Sequence, residues 1–235
     1  MIDYIIVGAG ISGLNLAHKL LTNKTKKHHK LKVLIFDSNN RVGGRINTIT
    51  DKYKDKTDAY KTETYEAGAA RFNDRHQNLL KYIKEFGLDK NKIPIHNKWN
   101  VYGVKKSKKI KFEDVHELID YLLEKSKDIP KSKINKMTLE KLCIKLLDSE
   151  HSKFLLDNHP FNGEITKLNC TQALKMFSED LNEKTNKFYV LAGGLSQIPD
   201  NLEKVIKKNG GVFKLTHKLD KVSYNKKTKV FTCYF

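Results

Sequence analysis

Three features of the 235-residue sequence predict an α/β fold in which a mostly helical lobe interrupts a parallel sheet. The first 45 residues read as strand, glycine turn, helix, strand. Residues 113–181 carry apolar stripes at helical spacing, and short strand-like runs return after residue 187. The domain boundaries that follow are 1–75 and 188–235 for the sheet-bearing domain. Residues 76–187 make the helical lobe with a small hairpin.

The opening stretch carries the chemistry. Tyr4 to Val7 is a short apolar run without alternation, the pattern of a parallel strand buried on both faces. Gly8-Ala9-Gly10-Ile11-Ser12-Gly13 follows, then an apolar helix from Leu14 to Leu21. In such a turn Gly8 permits the tight reversal, Gly10 admits a pyrophosphate to the backbone, and Gly13 lets the helix lie close on the strand. The helix N-terminus points N–H groups and a positive dipole end at the phosphates. A second strand, Leu31 to Phe36, ends at Asp37 and Ser38. Asp37 lies 24 residues beyond Gly13, where a carboxylate meets both ribose hydroxyls. This is a Rossmann-like dinucleotide unit. Arg41-Val42-Gly43-Gly44-Arg45 adds a second glycine turn beside it.

Composition removes other classes. The net charge of +18 suggests an anionic partner. However, lysine supplies 41 of the 45 basic residues (45 less four arginines), spread along the chain and mixed with acids. No aromatic residues interleave with the basic clusters to make a stacking platform, so nucleic acid is not expected as a partner. The four arginines, Arg41, Arg45, Arg71 and Arg75, all lie near the dinucleotide unit, where a bidentate donor meets phosphate or carboxylate. Cys143, Cys170 and Cys233 form no metal or redox pattern, and His28-His29 reads as a solvated loop, so no metal site is expected. The chain opens directly on a strand, and no apolar run nears the roughly 18 residues of a membrane span; the expectation is a cytoplasmic protein.

Along the chain, residues 51–63 read as a charged insertion without apolar periodicity. Small residues at 67–70 would let the backbone pass close to a flat ligand. A helix is predicted over 75–86, capped by Asn73 or Asp74 and ended by Gly87. Residues 99–104 and 109–112 read as a hairpin. Four helices are predicted, over 115–123, 138–147, 153–158 and 171–181. His151 and His159 fall in or near their loops without a constellation that would make either a base. Beyond them come a strand after 187, a helix over 196–208, a strand over 212–215, and a hairpin of 219–224 with 230–234.

Taken together, Val7-Gly8-Ala9-Gly10-Ile11-Ser12-Gly13-Leu14, Asp37 with Arg41-Val42-Gly43-Gly44-Arg45, Glu66-Ala67-Gly68-Ala69 and Gly193-Gly194-Leu195-Ser196 resemble the flavin-dependent amine oxidase family. That family includes monoamine, polyamine and L-amino-acid oxidases, and Asp37 stands where it usually carries Glu. The resemblance implies FAD as cofactor. Gly8, Gly10, Ile11, Ser12 and Gly13 would hold the pyrophosphate, Asp37 with Ser38 the adenosine ribose, and Arg41, Gly43, Gly44 and Arg45 the phosphates or ribityl chain. Gly68, Ala69, Ala70 and Arg71 would lie against the flavin, with the Leu219 backbone facing adenine.

Gly68-Ala69-Ala70-Arg71 followed by His76 and Gly87-Leu88 looks most like the L-amino-acid oxidases. There Arg71 would pair with a substrate carboxylate; a local ion pair with Asp74 or Glu66 is the alternative. The implied reaction is oxidation of an amine or L-amino acid to an imine, with dioxygen as terminal acceptor. The resemblance covers only the first half of a typical member, without the later part that completes the substrate domain and brings the lysine near the flavin. The expected partners are a small amine or amino acid and the missing half or a partner chain. A truncated, non-catalytic FAD-binding module is the other reading.

Overall fold

The computed structural model describes residues 2–22, 31–54, 56–95, 108–180 and 187–235. The chain divides into two compact units, residues 1–95 with 188–235 and residues 96–187.

In the first unit, β1 (Tyr4–Val7) leads through the glycine turn into α1 (Ile11–Thr22) and β2 (Val33–Phe36). β3 (Thr48–Lys54) and β4 (Tyr60–Glu66) form an antiparallel hairpin. This corrects the reading of 51–63 as a charged, mobile-looking insertion, since most of it is paired strand. Nearly all of its side chains are exposed, so it lacks the apolar alternation by which a strand is recognised. It is held by backbone pairing and by cross-strand contacts such as Thr50 with Thr64 and Tyr53 with Glu63. β5 (Phe72–Asn73), α2 (Gln77–Glu85), a 3-10 turn at Asp89–Asn91 and β6 (Lys92–Ile95) follow. Gly87, at φ +69°, ends α2, as its sequence position implied.

In the second unit come α3 (Val115–Ser126), α4 (Lys131–Ile134), α5 (Leu139–Leu146), α6 (Ser149–Asn158), α7 (Asn162–Thr166) and α8 (Cys170–Asp180). Three start on capping side chains: Asp114 accepts from the His116 and Glu117 N–H groups, Thr138 from Lys141, and Asp148 from His151. Their apolar stripes meet in one core of residues such as Leu118, Leu122, Leu139, Leu142, Leu155 and Ile165. Residues 109–112 form no strand, and 99–104 lie outside the described residues, so the expected hairpin is absent from its described part.

The chain returns to the first unit with β7 (Phe188–Leu191), α9 (Gln197–Lys208), β8 (Val212–Lys214), β9 (Lys221–Asn225) and β10 (Val230–Tyr234). β7 pairs antiparallel with both β5 and β6. That pairing moves the unit boundary: residues 76–95, assigned to the helical lobe by sequence, belong with the first unit because β6 is a partner of β7.

The parallel sheet has the order β1-β2-β8, with Ile5 opposite Leu34 and Leu34 opposite Val212. Ile6, Val33 and Ile35 pack with Leu14, Ala17, Ile198, Leu202 and Ile206 in the unit's core, so α1 and α9 cover one face. β1 departs from its expected burial. Of its four residues only Ile6 is buried, because β1 is an edge strand whose other face carries no helix among the described residues. No helix among the described residues is long and apolar enough to cross a membrane.

Leu142 is fully buried, whereas Ile144, two residues on in the same helix, is largely exposed. Leu142→Ala is expected to destabilise the helical unit by about 2–5 kcal/mol, and Ile144→Ala by no more than about 0.5 kcal/mol, in urea denaturation followed by circular dichroism.

Candidate functional site

The site is built where the two glycine turns meet. At the end of β1, Gly8 takes φ +103°, and its N–H donates to the Phe36 carbonyl at 2.7 Å. The chain then enters α1 at once. A Cβ at Gly13 would collide with the Gly8 carbonyl oxygen and sit 3.2 Å from Ile6, so only glycine lets α1 start so close to the strand. Its first turn carries no acidic residue, which leaves the positive end of the helix uncompensated.

The second turn is fastened to the first. The Gly43 N–H donates to the Ala9 carbonyl at 2.9 Å, and Gly10 and Gly43 form a parallel bridge. A Cβ at Gly44 would stand 3.2 Å from the Gly10 Cα. Arg41 holds this turn in shape: Nη1 donates to the Val42 and Ile46 carbonyls at 3.1 Å each, and Nη2 to Gly44 at 2.7 Å. Its fork is therefore spent on the protein's own loop. Arg45 is exposed, and among the described residues its guanidinium has no hydrogen-bond or ion-pair partner.

Asp37 is also engaged by the backbone. Oδ2 accepts from the Ala9 N–H at 2.8 Å, while Oδ1 accepts from the Asn39 N–H at 2.8 Å and its amide at 3.0 Å. Burial pushes its pKa up, but these donors and the nearby Arg41 charge outweigh burial and hold it below the ordinary carboxylate value. The carboxylate thus closes the β1 turn onto the end of β2.

A third segment runs alongside. Ala69 N–H donates to Arg45 O at 2.9 Å and Ala67 N–H to Asn47 O at 2.8 Å, and a Cβ at Gly68 would strike the Arg45 carbonyl. The return segment is locked to it by a network that sequence reasoning missed. Glu66 accepts from the Leu195 N–H at 2.6 Å and from the Thr48 hydroxyl at 3.0 Å. Thr48 N–H donates to Ser196 Oγ, and Ser196 N–H to Thr48 Oγ1, at 2.8 and 2.9 Å. Contacts spanning up to 148 positions leave no local sequence signal.

These segments surround a cavity of about 1060 Å³. Gly8, Gly10, Ile11, Ser12, Gly13, Arg41, Gly43, Gly44, Arg45, Gly68 and Ala69 line it, with Asn39 and Asn47, which sequence reasoning did not single out. Asp37, Ser38, Ala70, Arg71 and Leu219 are not among the lining residues. The Arg71 guanidinium lies over the Phe188 ring at 4.9 Å, while Glu66, one of its two candidate ion-pair partners, is bonded to Thr48 and Leu195. His76 is the N-cap position of α2 and makes no side-chain capping bond.

Elsewhere, burial pushes the Cys143 and Cys170 thiols up to about 12, as befits inert core residues. Burial and then the nearby His116 push His159 down to about 4, and its Nδ1 accepts from the Phe161 N–H. Among the described residues no group of three His, Cys, Asp or Glu is placed to hold a metal.

The model of the family "Flavin containing amine oxidoreductase" matches residues 11–233. The chain belongs to that family. Among known relatives, the L-amino-acid oxidase of Notechis scutatus scutatus is 24% identical over 93% of this chain and 46% of its own length. The flavin-containing amine oxidase A of Canis lupus familiaris is 32% identical over 42% of this chain and 16% of its own. Among solved structures, a putrescine oxidase bound to putrescine superposes with a TM-score of 0.58 at 18% identity, over 94% of this chain and 52% of that one. An oxidoreductase from Methanosarcina mazei gives 0.54 at 20% identity, over 94% and 53%. The fold is that of these oxidoreductases. The chain spans about half the length of the relatives that it matches most fully.

Gly13→Ala is expected to destabilise the first unit by about 1–3 kcal/mol, because a core-side methyl has no room against the Gly8 carbonyl. Asp37 carries a depressed pKa, so its contribution is complete above the ordinary carboxylate range and is lost as pH falls through the lowered value. Asp37→Asn should cost about 1 kcal/mol at neutral pH, discounted for solvent screening, and should flatten the acid limb of a stability–pH profile measured by urea denaturation.

Proposed function

We propose that the cavity between the glycine turns holds FAD, and that the chain forms the cofactor-binding part of an oxidoreductase acting on an amine or L-amino acid. The observation that carries this reading is the junction of the two turns by the Gly43–Ala9 bond, lining one cavity with the acid-free start of α1. A phosphate needs close backbone approach, free N–H donors and positive charge. Gly8 and Gly10, where an added Cβ would meet nothing nearer than 3.9 Å, leave that approach open, and the first turn of α1 supplies the donors. Arg45 supplies an exposed charge, and Arg41 fixes the loop rather than the ligand. The site residues therefore fit the cofactor.

In this reading Asp37 and Ser38 set the ribose end, Asp37 through its hold on the Ala9 and Asn39 amides. The close run of Gly68 and Ala69 along Arg45 to Asn47 lets the backbone lie flat against a ring system, with Ala70 and the Leu219 backbone as further contacts. Arg71 offers a guanidinium fork to a substrate carboxylate, its position set by the Phe188 ring. When bound, FAD would accept a hydride from the carbon bearing the amine, leaving an imine for hydrolysis, with dioxygen as terminal acceptor. The protein's part is to hold, orient and exclude water. The three free cysteines suit a reducing, cytoplasmic setting.

One observation favours a second reading. Because the chain spans about half the length of those relatives, it can bind flavin as a non-catalytic module, or as one half of a two-part enzyme.

The test is an absorption spectrum of the purified chain after incubation with FAD and desalting. A retained flavin band is expected, lost in Gly10→Val and weakened about 10- to 150-fold in affinity by Arg45→Ala, the value of one charge-assisted contact. Equal retention by wild type and Gly10→Val would overturn the site. Bleaching on adding an L-amino acid would separate the catalytic reading from the binding module, and Arg71→Ala should slow bleaching by amino acids more than by plain amines.

A further inference from the structure

We propose that Glu66 is a positioning residue for the cofactor, setting one wall of the cavity without touching the ligand. This rests on the reading of that cavity as the FAD site. Thr48 and Glu66 stand opposite each other as the first pair of the β3–β4 hairpin. Arg45, Ile46 and Asn47 lead into that pair, Ala67, Gly68 and Ala69 lead away from it, and all six line the cavity. Thr48 and Glu66 themselves are not among the lining residues. The bonds from the Ala67 N–H to Asn47 and from the Ala69 N–H to Arg45 hold the two runs side by side. Those bonds lie within the wall and anchor it to nothing else.

Glu66 supplies the anchor. Its carboxylate accepts from the Leu195 N–H at 2.6 Å and from the Thr48 hydroxyl at 3.0 Å. Thr48 Oγ1 accepts in turn from the Ser196 N–H, so its own proton is directed at Glu66. Both partners of the carboxylate are therefore donors. They call for a group that only accepts, and an ionised carboxylate is one. Bonds to a charged acceptor are also roughly twice as strong as neutral ones.

The segment that receives the anchor is itself well held. Leu195 is buried, and the turn before it is shaped by Gln197, whose Nε2 donates to the Ala192 and Gly194 carbonyls at 2.8 Å each. Gly194, at φ +87°, passes so near Thr48 that a Cβ there would overlap its side chain. In the first turn of α9, Pro199 reaches the second glycine turn: a Cβ at Gly43 would stand 3.2 Å from the proline ring. One support, residues 195–199, thus braces the 67–69 wall through Glu66 and the Gly43-Gly44 turn through Pro199. A ligand lying between the two meets walls set by the same element, and loss of the carboxylate releases one of them.

The test compares wild type, Glu66→Ala and Glu66→Gln in the full chain, by residue-resolved amide hydrogen exchange without ligand and by FAD titration. In Glu66→Ala the Ala67 and Ala69 amides should exchange about tenfold faster, while the Ile35 amide in β2 keeps its wild-type rate. FAD affinity should fall about tenfold, the effect of losing a bond to a charged acceptor, and the visible circular dichroism of the bound flavin should change. Glu66→Gln keeps an acceptor for Leu195 but presents an amide N–H to Thr48, so its values should fall between the two. If Glu66→Ala does not fold, Glu66→Gln decides by the same readouts. Wild-type exchange at Ala67 and Ala69 in the variants would overturn the proposal. So would faster exchange with unchanged FAD affinity and flavin dichroism, the pattern of a residue that only stabilises the fold. A wild-type chain that binds no FAD would instead sink the cofactor reading, and the positioning role with it.

Discussion

The bond from the Gly43 N–H to the Ala9 carbonyl is the constraint on which the site depends. It draws the turn after β2 onto the turn after β1, so that Gly44 can face Gly10 with no side chain between them. Everything else in the cradle serves that approach. Asp37 ties Ala9 to the end of β2, Arg41 ties the second turn to itself, and Gly13 lets α1 begin without a gap. The result is a cavity in which glycine and alanine make up half of the lining residues. Such walls suit a ligand recognised through phosphates and a flat ring rather than through one side chain.

Two charged residues that look alike in sequence divide the labour. Arg41 and Arg45 flank the same glycine pair, yet the first donates three bonds to loop carbonyls and the second none to the described residues. A planar fork is pre-organised for a set of carbonyls at fixed geometry, which explains why a lysine-rich chain carries arginine there. Asp37 behaves similarly. Its carboxylate is fixed by backbone donors, so in the proposed reading a ribose would meet an oriented group.

The parts of the fold that sequence revealed are those governed by local rules. Gly8, Gly10, Gly13, Gly43 and Gly44 were legible because steric freedom is read from the residue itself, and the start of α5 at Thr138 because caps are short-range. The caps Asp114 and Asp148 were not singled out, α6 begins at Ser149 rather than 153, and α2 starts after His76 rather than on a cap from Asn73 or Asp74. The β3–β4 hairpin was not legible, since both its faces are wet and it shows no apolar period. The Thr48–Glu66–Ser196 network was invisible for another reason: Leu195 and Ser196 reach Thr48 and Glu66 only after the whole helical unit has intervened in the sequence. β1 looked like a doubly buried strand, and the composition of that strand still fits a covered sheet better than the exposed one found here.

The central claim is that the two glycine turns are interlocked in this chain and present the first turn of α1 to a phosphate-bearing ligand. Residue-resolved amide hydrogen exchange, with and without FAD, tests it most directly. The account predicts that the Gly43 amide is protected in the chain alone, and that the Ile11, Ser12 and Gly13 amides slow when FAD is added. A freely exchanging Gly43 amide, or first-turn amides indifferent to FAD, would contradict it.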